Sequence, residues 1–418
     1  MKVLVISATF PPMTSGGAQY AFMLCQHLAE AKEDVYALVA TTADAAADPR
    51  IKVYPVMDHW SWAELPRLLR VVAQCRPDVV NIHFTGMIYH NQPMITFLPS
   101  ILKRRFADLS VVTLFEYPTG VNLDRVSSSA RLIRKGVNYW VGSNDTDWGY
   151  GTLLRDSDRI VVLSDEHRHI LKRHLPSAEK KTVLIPPPPL LHVCKEENGA
   201  ARRRSREQLG VGFDEFLVAY YGYLYPGKGI ETLLEAIRIV NQRGKDVYLV
   251  LIGGTNEVML QFHKRPGYAQ ELEDLSKQLH IADKVRFTGH CPSEGERGSL
   301  CLRAADACIL LFDDGVRQHR SSVAAAATHG LPLITTKGVV LESAFIDREN
   351  VLLCPPKDPE SVARAIVSLI DEPQLRQRLQ KGAIEMAHEW FSWKRTVFST
   401  IETFRLANSF ERQERHVR

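Results

Sequence analysis

Short runs of apolar, β-branched residues alternate with stretches in which apolar positions recur every three or four residues, along almost the whole chain. In the first half "KVLVIS" is followed by "GAQYAFMLCQHLAEA", then by "DVYALVA", "IKVYPV", "WAELPRLLRVVAQC", "DVVNIHF", "SVVTLFE" and "DRIVVLS". The short runs read as buried strands and the longer periodic stretches as amphipathic helices. Strand and helix in alternation predict a parallel sheet covered by helices on its faces. The second half repeats the pattern with "FLVAYYGYL", "GIETLLEAIRIVNQRG", "VYLVLIGG", "AQELEDLSKQLHI", "KVRFTGH", "ACILLF", "SSVAAAATHG", "LPLITT", "ENVLLCPP" and "PESVARAIVSLIDE".

Between the halves stands "PPPPLLHVCKEENGAARRRSREQLG", four prolines followed by a polar, basic stretch. Proline cannot continue a helix or a central strand, so the alternation must stop there. The expected fold class is α/β, two Rossmann-like parallel-sheet domains facing a central cleft. Residues 1–190 form the first domain and 191–390 the second. The tail, residues 391–418, is helical, with a break near Phe391 to Trp393 that lets the last helix change direction.

The totals fit this picture. A chain of 418 residues is too long for one ordinary domain, and 45% hydrophobic residues suffice for two packed cores. A net charge of +4 is mild and does not point to nucleic acid. The seven cysteines are odd in number and scattered without CxxC spacing, so they read as reduced core residues of a cytoplasmic protein. The apolar start "MKVLVISATFPP" reads as a first strand rather than a signal peptide, and no run has the length of a membrane span.

Ligands of such domains bind at the carboxyl ends of strands, and three loops there have the composition for an anion. In "FPPMTSGGAQ", Gly16 and Gly17 either form a plain turn or let backbone approach a ligand at a helix N-terminus. In "YYGYLYPGKGIETLLEA", Lys228 follows a tight turn after Gly222 and Tyr223; taken alone it reads as a solvated loop lysine, and beside the neighbouring loops as a point charge for a phosphate. In "FDDGVRQHRSSVAAAATHGLPLITT", Arg317 and Arg320 stand just ahead of an Ala-rich helix opening at Ser321 or Ser322. Cations there oppose the helix dipole by roughly 0.3–1 kcal/mol each. Two alternatives follow: they hold an anion together with the Ser321 and Ser322 amides, or they hang in solvent or bridge Asp313 and Asp314. A dehydrogenase is excluded, because "TSGGAQYA" lacks GxGxxG.

In the order and spacing of "FPP…GGAQ", "PDVVNIHF", "YYGYLYPGKGIETLLEAI", "LVLIGG", "KVRFTGH", "AADACILLF" and "HGLPLITT", the sequence resembles retaining glycosyltransferases of family 4, with the GT-B fold. The resemblance implies a second domain that binds a nucleoside-diphosphate sugar, a first domain that binds the acceptor, and a last helix that crosses back to the first domain. It implies transfer with retention, by same-face attack in which the leaving phosphate helps deprotonate the acceptor. The sugar donor is a co-substrate, and neither a cofactor nor a metal is expected, since no Asp-x-Asp motif stands out. The acceptor class is a glycan, a lipid-linked glycan or a small molecule, in keeping with polysaccharide biosynthesis. Nucleic acid is not an expected partner. Peripheral contact with the inner face of the membrane is left open by Lys103, Arg104 and Arg105 in "PSILKRRF".

Three positions depart from the family pattern. The family's Arg–Lys pair for the diphosphate is represented by Tyr223 and Lys228. Its two glutamates, eight positions apart, fall at Arg317 and Ala325. Its acceptor-side histidine is replaced at Phe115 and Glu116. One alternative is a non-catalytic binding or scaffold subunit; the other is a divergent branch in which Arg317 and Arg320 supply the missing charge. In the second case the residues nearest the chemistry are His83, Glu116, Lys228 and Arg320. The donor would meet Gly16, Gly17, Gly222, Tyr223, Arg317, Ser321 and Ser322, its base would lie against main-chain groups near Arg286 and Phe287, and Glu342 would help hold the sugar or ribose.

Overall fold

The structure is a computed structural model that describes residues 1–90, 92–118, 132–133, 135–136, 139, 149–196, 198–292 and 295–416. The chain divides into two compact units, Met1–Pro186 with Thr396–Arg418, and Pro187–Arg395. The first change of unit lies inside the four-proline run; the second lies three residues into the last helix, Trp393–His416.

The first unit is built on seven strands: β1 (Lys2–Ile6), β2 (Asp34–Ala40), β3 (Ile51–Met57), β4 (Val79–Phe84), β5 (Ser110–Phe115), β6 (Arg159–Val162) and β7 (Thr182–Leu184). Their order across the sheet is β3-β2-β1-β4-β5-β6-β7, and every pairing is parallel. Strands β4 and β5 are buried at every position, as a central parallel strand covered on both faces requires. The sequence pattern did not announce β7, because three residues between lysines and prolines carry no period of their own.

From Thr396 onward the last helix belongs to this unit. Phe404 and Ala407 are fully buried, and the Ser110 hydroxyl at the start of β5 donates to Asn408 Oδ1 at 2.6 Å.

The second unit carries β8 (Phe216–Tyr221), β9 (Val247–Ile252), β10 (Val285–Phe287), β11 (Ala307–Leu310), β12 (Leu333–Thr336) and β13 (Leu352–Cys354), in the order β10-β9-β8-β11-β12-β13 and again all parallel. The eight-residue helix Ser321–Thr328 buries Val323 through Ala327 completely. Alanine at four consecutive positions keeps that helix thin enough to lie close against the strands. The helix Glu257–His263, which the sequence pattern did not suggest, follows β9 and is capped by the Asn256 side chain.

In each sheet the strand order reverses once, between β1 and β4 in the first unit and between β8 and β11 in the second. Loops leaving neighbouring strands toward opposite faces part at such a point and open a crevice beyond the carboxyl ends. In each unit the loops bordering that point, after β1 and β4 in the first and after β8 and β11 in the second, are therefore the candidates for a ligand site.

All seven cysteines are free thiols and six of them are buried, the reduced core positions that their scatter suggested.

Candidate functional site

In the second unit the loop after β8 runs from Gly222 to Gly229 and delivers Lys228 just before the helix Ile230–Gln242. Gly229 is required there. Its φ is +60°, and a β-carbon would lie 2.6 Å from Leu311 Cβ and 2.7 Å from Leu311 O. The loop after β8 is thus pressed onto the end of β11, and Lys228 is held beside Phe312.

Phe312 itself is clamped. Its amide donates to Thr336 Oγ1 at 2.8 Å, and the Thr336 hydroxyl donates back to the Phe312 carbonyl at 2.6 Å. Over this buried ring stand two cations, the Lys228 ammonium at 5.0 Å and the Arg320 guanidinium at 4.6 Å from the centroid. Lys228 also lies 4.8 Å from the centre of Tyr225, and no carboxylate among the described residues is within ion-pair distance of it. Burial first, and the Arg320 charge second, pull the lysine well below its ordinary pKa, with Asp314 acting in the opposite direction.

Arg320 occupies the N-cap of Ser321–Thr328 in an extended conformation, without a side-chain cap bond. The opposition of cation and helix dipole is therefore real. One carboxylate relieves it: Asp314 meets Arg320 Nη2 at 2.9 Å and Arg317 Nη1 at 2.6 Å, while Asp313 turns to Lys357 at 3.4 Å. The two arginines do not hang in solvent, their side chains being 16% exposed each. The alternative in which they bridge both aspartates holds for Asp314 alone. Arg317 and Arg320 thus share a single acid, Lys228 stands with Arg320 over the Phe312 ring, and Arg320 Nε is buried with no hydrogen-bond partner among the described residues.

The remaining donor-side expectations land as follows. Gly222 ends β8 against the first helical turn, where a β-carbon would come within 3.9 Å of Ser322 Cβ. Ser321 and Ser322 are the first two helical residues, whose N–H groups lie ahead of any intrahelical partner. Tyr223 does not substitute for the missing arginine: its hydroxyl is buried without a hydrogen-bond partner, and burial pushes the phenol up, so it stays neutral. Arg286 spends its side chain on carbonyls of its own unit, Leu209 at 3.1 Å and Asp283 at 2.6 Å. Strand β10 is the outermost strand of its sheet, so among the described residues one edge of the Arg286–Phe287 main chain has no strand partner. Glu342 is buried, and its carboxylate accepts the Gln318 backbone N–H, which ties the turn that carries Arg317. That bond is structural, and the expectation of Glu342 as a sugar ligand gains no geometry from it.

In the first unit the corresponding loops bring together groups from β1, β4 and β5. Ser15 caps the helix Gly16–Glu30 by accepting the Ala18 N–H at 3.1 Å. A β-carbon on Gly17 would lie 2.7 Å from Glu116 Oε2 and 3.3 Å from Thr9 Oγ1; Gly16 faces open space. Gly17 therefore makes room for the Glu116 carboxylate at the helix N-terminus, where the dipole favours an anion. The Glu116 amide donates to Phe84 O at 3.1 Å and fixes its backbone one residue beyond β5.

His83, fully buried on β4, lies beside that carboxylate, with Nδ1 3.7 Å from Glu116 Oε1 and neither atom hydrogen-bonded. The Asn81 amide donates through Nδ2 to Val112 O at 3.3 Å, which leaves Oδ1 to accept from His83 Nε2 at 2.9 Å. In the neutral ring Nδ1 carries a lone pair and both buried atoms are acceptors, one of which a hydroxyl donor between them would satisfy; in the protonated ring Nδ1–H faces the carboxylate itself. Tyr20 stacks near His83 with ring centres 5.9 Å apart, and burial, then the Glu116 charge, raise its phenol. Asn81, Tyr20 and Thr9 escaped sequence reasoning. Asn81 had a signal, since it shares one face of an otherwise apolar strand with His83 at i, i+2.

Of the basic triplet considered for membrane contact, Lys103 is engaged with Asp158. Among the described residues no helix is long and apolar enough to cross a membrane, and no three His, Cys, Asp or Glu side chains are grouped to hold a metal.

Comparison with known proteins adds to this geometry. Residues 14–188 match the model of Glycosyltransferase Family 4, and residues 201–386 match that of Glycosyl transferases group 1. A D-inositol 3-phosphate glycosyltransferase of Thermomonospora curvata is 28% identical over 209 residues, which are 48% of this chain and 45% of that protein. The chain thus spans about half the length of that relative. A glycogen synthase of Mycobacterium tuberculosis is 24% identical over 451 residues, covering 99% of this chain and 96% of the other.

Among solved structures, a glycosyltransferase of Rickettsia africae superposes with a TM-score of 0.73 at 13% identity, over 97% of this chain and 98% of that one. The Anabaena protein HepE, in complex with UDP and glucose, gives 0.67 at 15% identity, over 96% and 99%. At such identities the likeness speaks for the fold. With one family model on each unit, and with two parallel sheets that each reverse strand order once, the chain belongs to the family 4 glycosyltransferases and has the GT-B fold.

Proposed function

We propose that this protein transfers a sugar from a nucleoside-diphosphate sugar to a hydroxyl of a glycan, lipid-linked or small-molecule acceptor, with retention of configuration. The observation that carries this reading is the grouping of three cations at the start of Ser321–Thr328, Arg317 and Arg320 on Asp314 and Lys228 with Arg320 over the Phe312 ring, at the strand-order reversal of the second unit. Breaking a glycosyl phosphate bond leaves a sugar with oxocarbenium character and a diphosphate with growing negative charge. Stabilising that charge is the main electrostatic task.

Lys228 is a compact charge over Phe312, while the arginines offer planar forks suited to phosphate oxygens. The Ser321 and Ser322 amides add two fixed donors at the positive end of the helix. The base is read by the unpaired edge of β10 near Arg286 and Phe287. In the first unit, a ligand hydroxyl donates to Glu116 or to His83 Nδ1. The UDP-bound Anabaena structure makes UDP the first nucleotide to try.

The test is calorimetric titration with UDP, GDP and ADP, followed by transfer and donor-hydrolysis assays over a panel of nucleotide sugars and acceptors. Submicromolar to micromolar binding of one diphosphate, with turnover of its sugar, is expected. Failure of all three nucleotides to bind would sink the donor-site assignment. The second reading, a non-catalytic binding or scaffold subunit, draws on Arg317 and the fully buried Ala325 at the positions of the family's glutamates. Binding without turnover on any pair would favour it.

A further inference from the structure

We infer that Asp314 is an internal competitor of the donor's diphosphate, which limits how tightly the site holds a nucleoside diphosphate; this rests on the donor site proposed above. The same carboxylate engages both arginines, Arg317 Nη1 at 2.6 Å through Oδ2 and Arg320 Nη2 at 2.9 Å through Oδ1 and 3.0 Å through Oδ2. A phosphate that takes these guanidinium groups in the bidentate manner must replace those bonds, and it then faces a displaced carboxylate of its own sign.

Asp314 cannot readily retreat by backbone movement. The next residue, Gly315, has φ +88°, and a β-carbon there would lie 2.1 Å from Gly338 Cα, so the turn is packed against the segment after β12. Its amide donates to Phe312 O at 3.0 Å, and the following amide, that of Val316, donates to Thr336 O at 2.9 Å. The side chain is the part that is free to move, being 42% exposed against 16% for each arginine.

The arrangement also has an asymmetry that favours exchange. Arg320 pairs with Asp314 through Nη2, while its Nε is buried without a hydrogen-bond partner. That donor is left for a phosphate oxygen once the guanidinium has swung away from Asp314. The Lys228 ammonium adds a third charge that Asp314 stabilises only at a distance. After transfer the sequence runs backwards: Asp314 recaptures the arginines and helps expel the nucleoside diphosphate. A site of three cations without an internal acid would bind this product most tightly of all.

The experiment measures the dissociation constants of UDP, GDP, ADP and the matching monophosphates at two salt concentrations, for the wild type, Asp314→Asn and Asp314→Glu, with folding checked by thermal unfolding. For the diphosphate that the wild type binds, Asp314→Asn is expected to tighten binding about tenfold at low salt, by loss of one close like charge, with a smaller gain at high salt. The gain should be smaller for the monophosphate, and Asp314→Glu should stay near the wild type. Asp314→Ser carries the test if the Asn variant does not fold.

Unchanged or weaker diphosphate binding in a folded neutral variant overturns the inference and makes Asp314 a residue that merely positions the arginines. If instead the wild type binds none of the nucleotides, the donor-site reading fails, and the inference falls with it.

Discussion

Removal of the Lys228 and Arg320 charges is the most direct trial at the scale of single residues. Both cations lie within 5.0 Å of the same buried ring, and Arg320, although at the N-cap, makes no side-chain cap bond. The pair Lys228→Ala, Arg320→Ala is therefore expected to lower diphosphate affinity by about a hundredfold, at roughly 1.5 kcal/mol for each charge-assisted contact, with a modest change in unfolding temperature. Titration of the double variant checks this, and wild-type affinity would refute the assignment.

Gly17→Ala separates activity from stability in the first unit. Alanine gains about 1 kcal/mol of helix propensity over glycine, which offsets part of the contact a β-carbon makes at 2.7 Å from Glu116 Oε2. The carboxylate end must shift beside His83. We expect transfer to fall at least tenfold while the unfolding temperature moves little; a large stability loss with normal turnover per folded molecule would contradict the role given to Glu116.

At the scale of elements, the helix Ser321–Thr328 is held at both ends, by the arginine–aspartate group at its start and by His329 at its close. His329 Nδ1–H donates to Ala325 O at 2.7 Å, so Nε2 accepts from the Ser299 hydroxyl at 2.8 Å, and Ser299 Oγ accepts the Cys194 N–H at 2.9 Å. The chain of bonds fixes the neutral ring. Burial, its largest cause, pulls the His329 pKa down to about 4, with Arg303 adding to the effect and the Ala325 bond opposing it. A depressed histidine contributes stability that is whole above the unfolded value near 6.5 and is lost as pH falls toward 4. In that window the slope approaches ~1.4 kcal/mol per pH unit. Unfolding of the wild type and His329→Gln at pH 7 and pH 5 tests the sign: their stability difference should shrink at pH 5, and a constant difference would rule out the titration.

At the same scale, Gly229→Ala combines a left-handed φ with contact against Leu311, so a loss above about 2 kcal/mol is expected together with weaker nucleotide binding.

On the scale of the whole molecule, the chain is two units, and the groups proposed for the diphosphate, Lys228, Arg317, Arg320, Ser321 and Ser322, all lie within the contiguous one, Pro187–Arg395, whereas Gly16 and Gly17 lie in the other. That segment expressed alone is expected to bind the same diphosphate as the full chain within about tenfold. Loss of all affinity in a folded fragment would mean that the first unit contributes to nucleotide binding directly. The first unit is not contiguous, since it takes Thr396–Arg418 from the far end of the sequence, with Phe404 and Ala407 in its core. A chain ending at Arg395 should therefore lose stability in the first unit and transfer activity with it.

The sequence by itself determined whatever depends on local pattern. Apolar runs of four to seven residues between helical stretches are sufficient to specify buried parallel strands, and four prolines to end one domain. The loops that carry Gly17, Lys228, Arg317 and Arg320 stood out as candidates because several glycines and cations recur where a strand ends and a helix begins, although each alone fits an ordinary turn. What the tertiary structure decided was the pairing of charges and acceptors across distant positions. Asp314 rather than Asp313 takes both arginines because the Gly315 turn aims it there, and Glu342 goes to the Gln318 amide instead of outward. Glu116 meets His83 and Gly17 because β4 and β5 are neighbours and the chain reverses strand order between β1 and β4. The Glu342–Gln318, Glu116–His83 and Glu116–Gly17 contacts join residues 24, 33 and 99 positions apart, and periodicity, which reads only a few residues at a time, has no term for them.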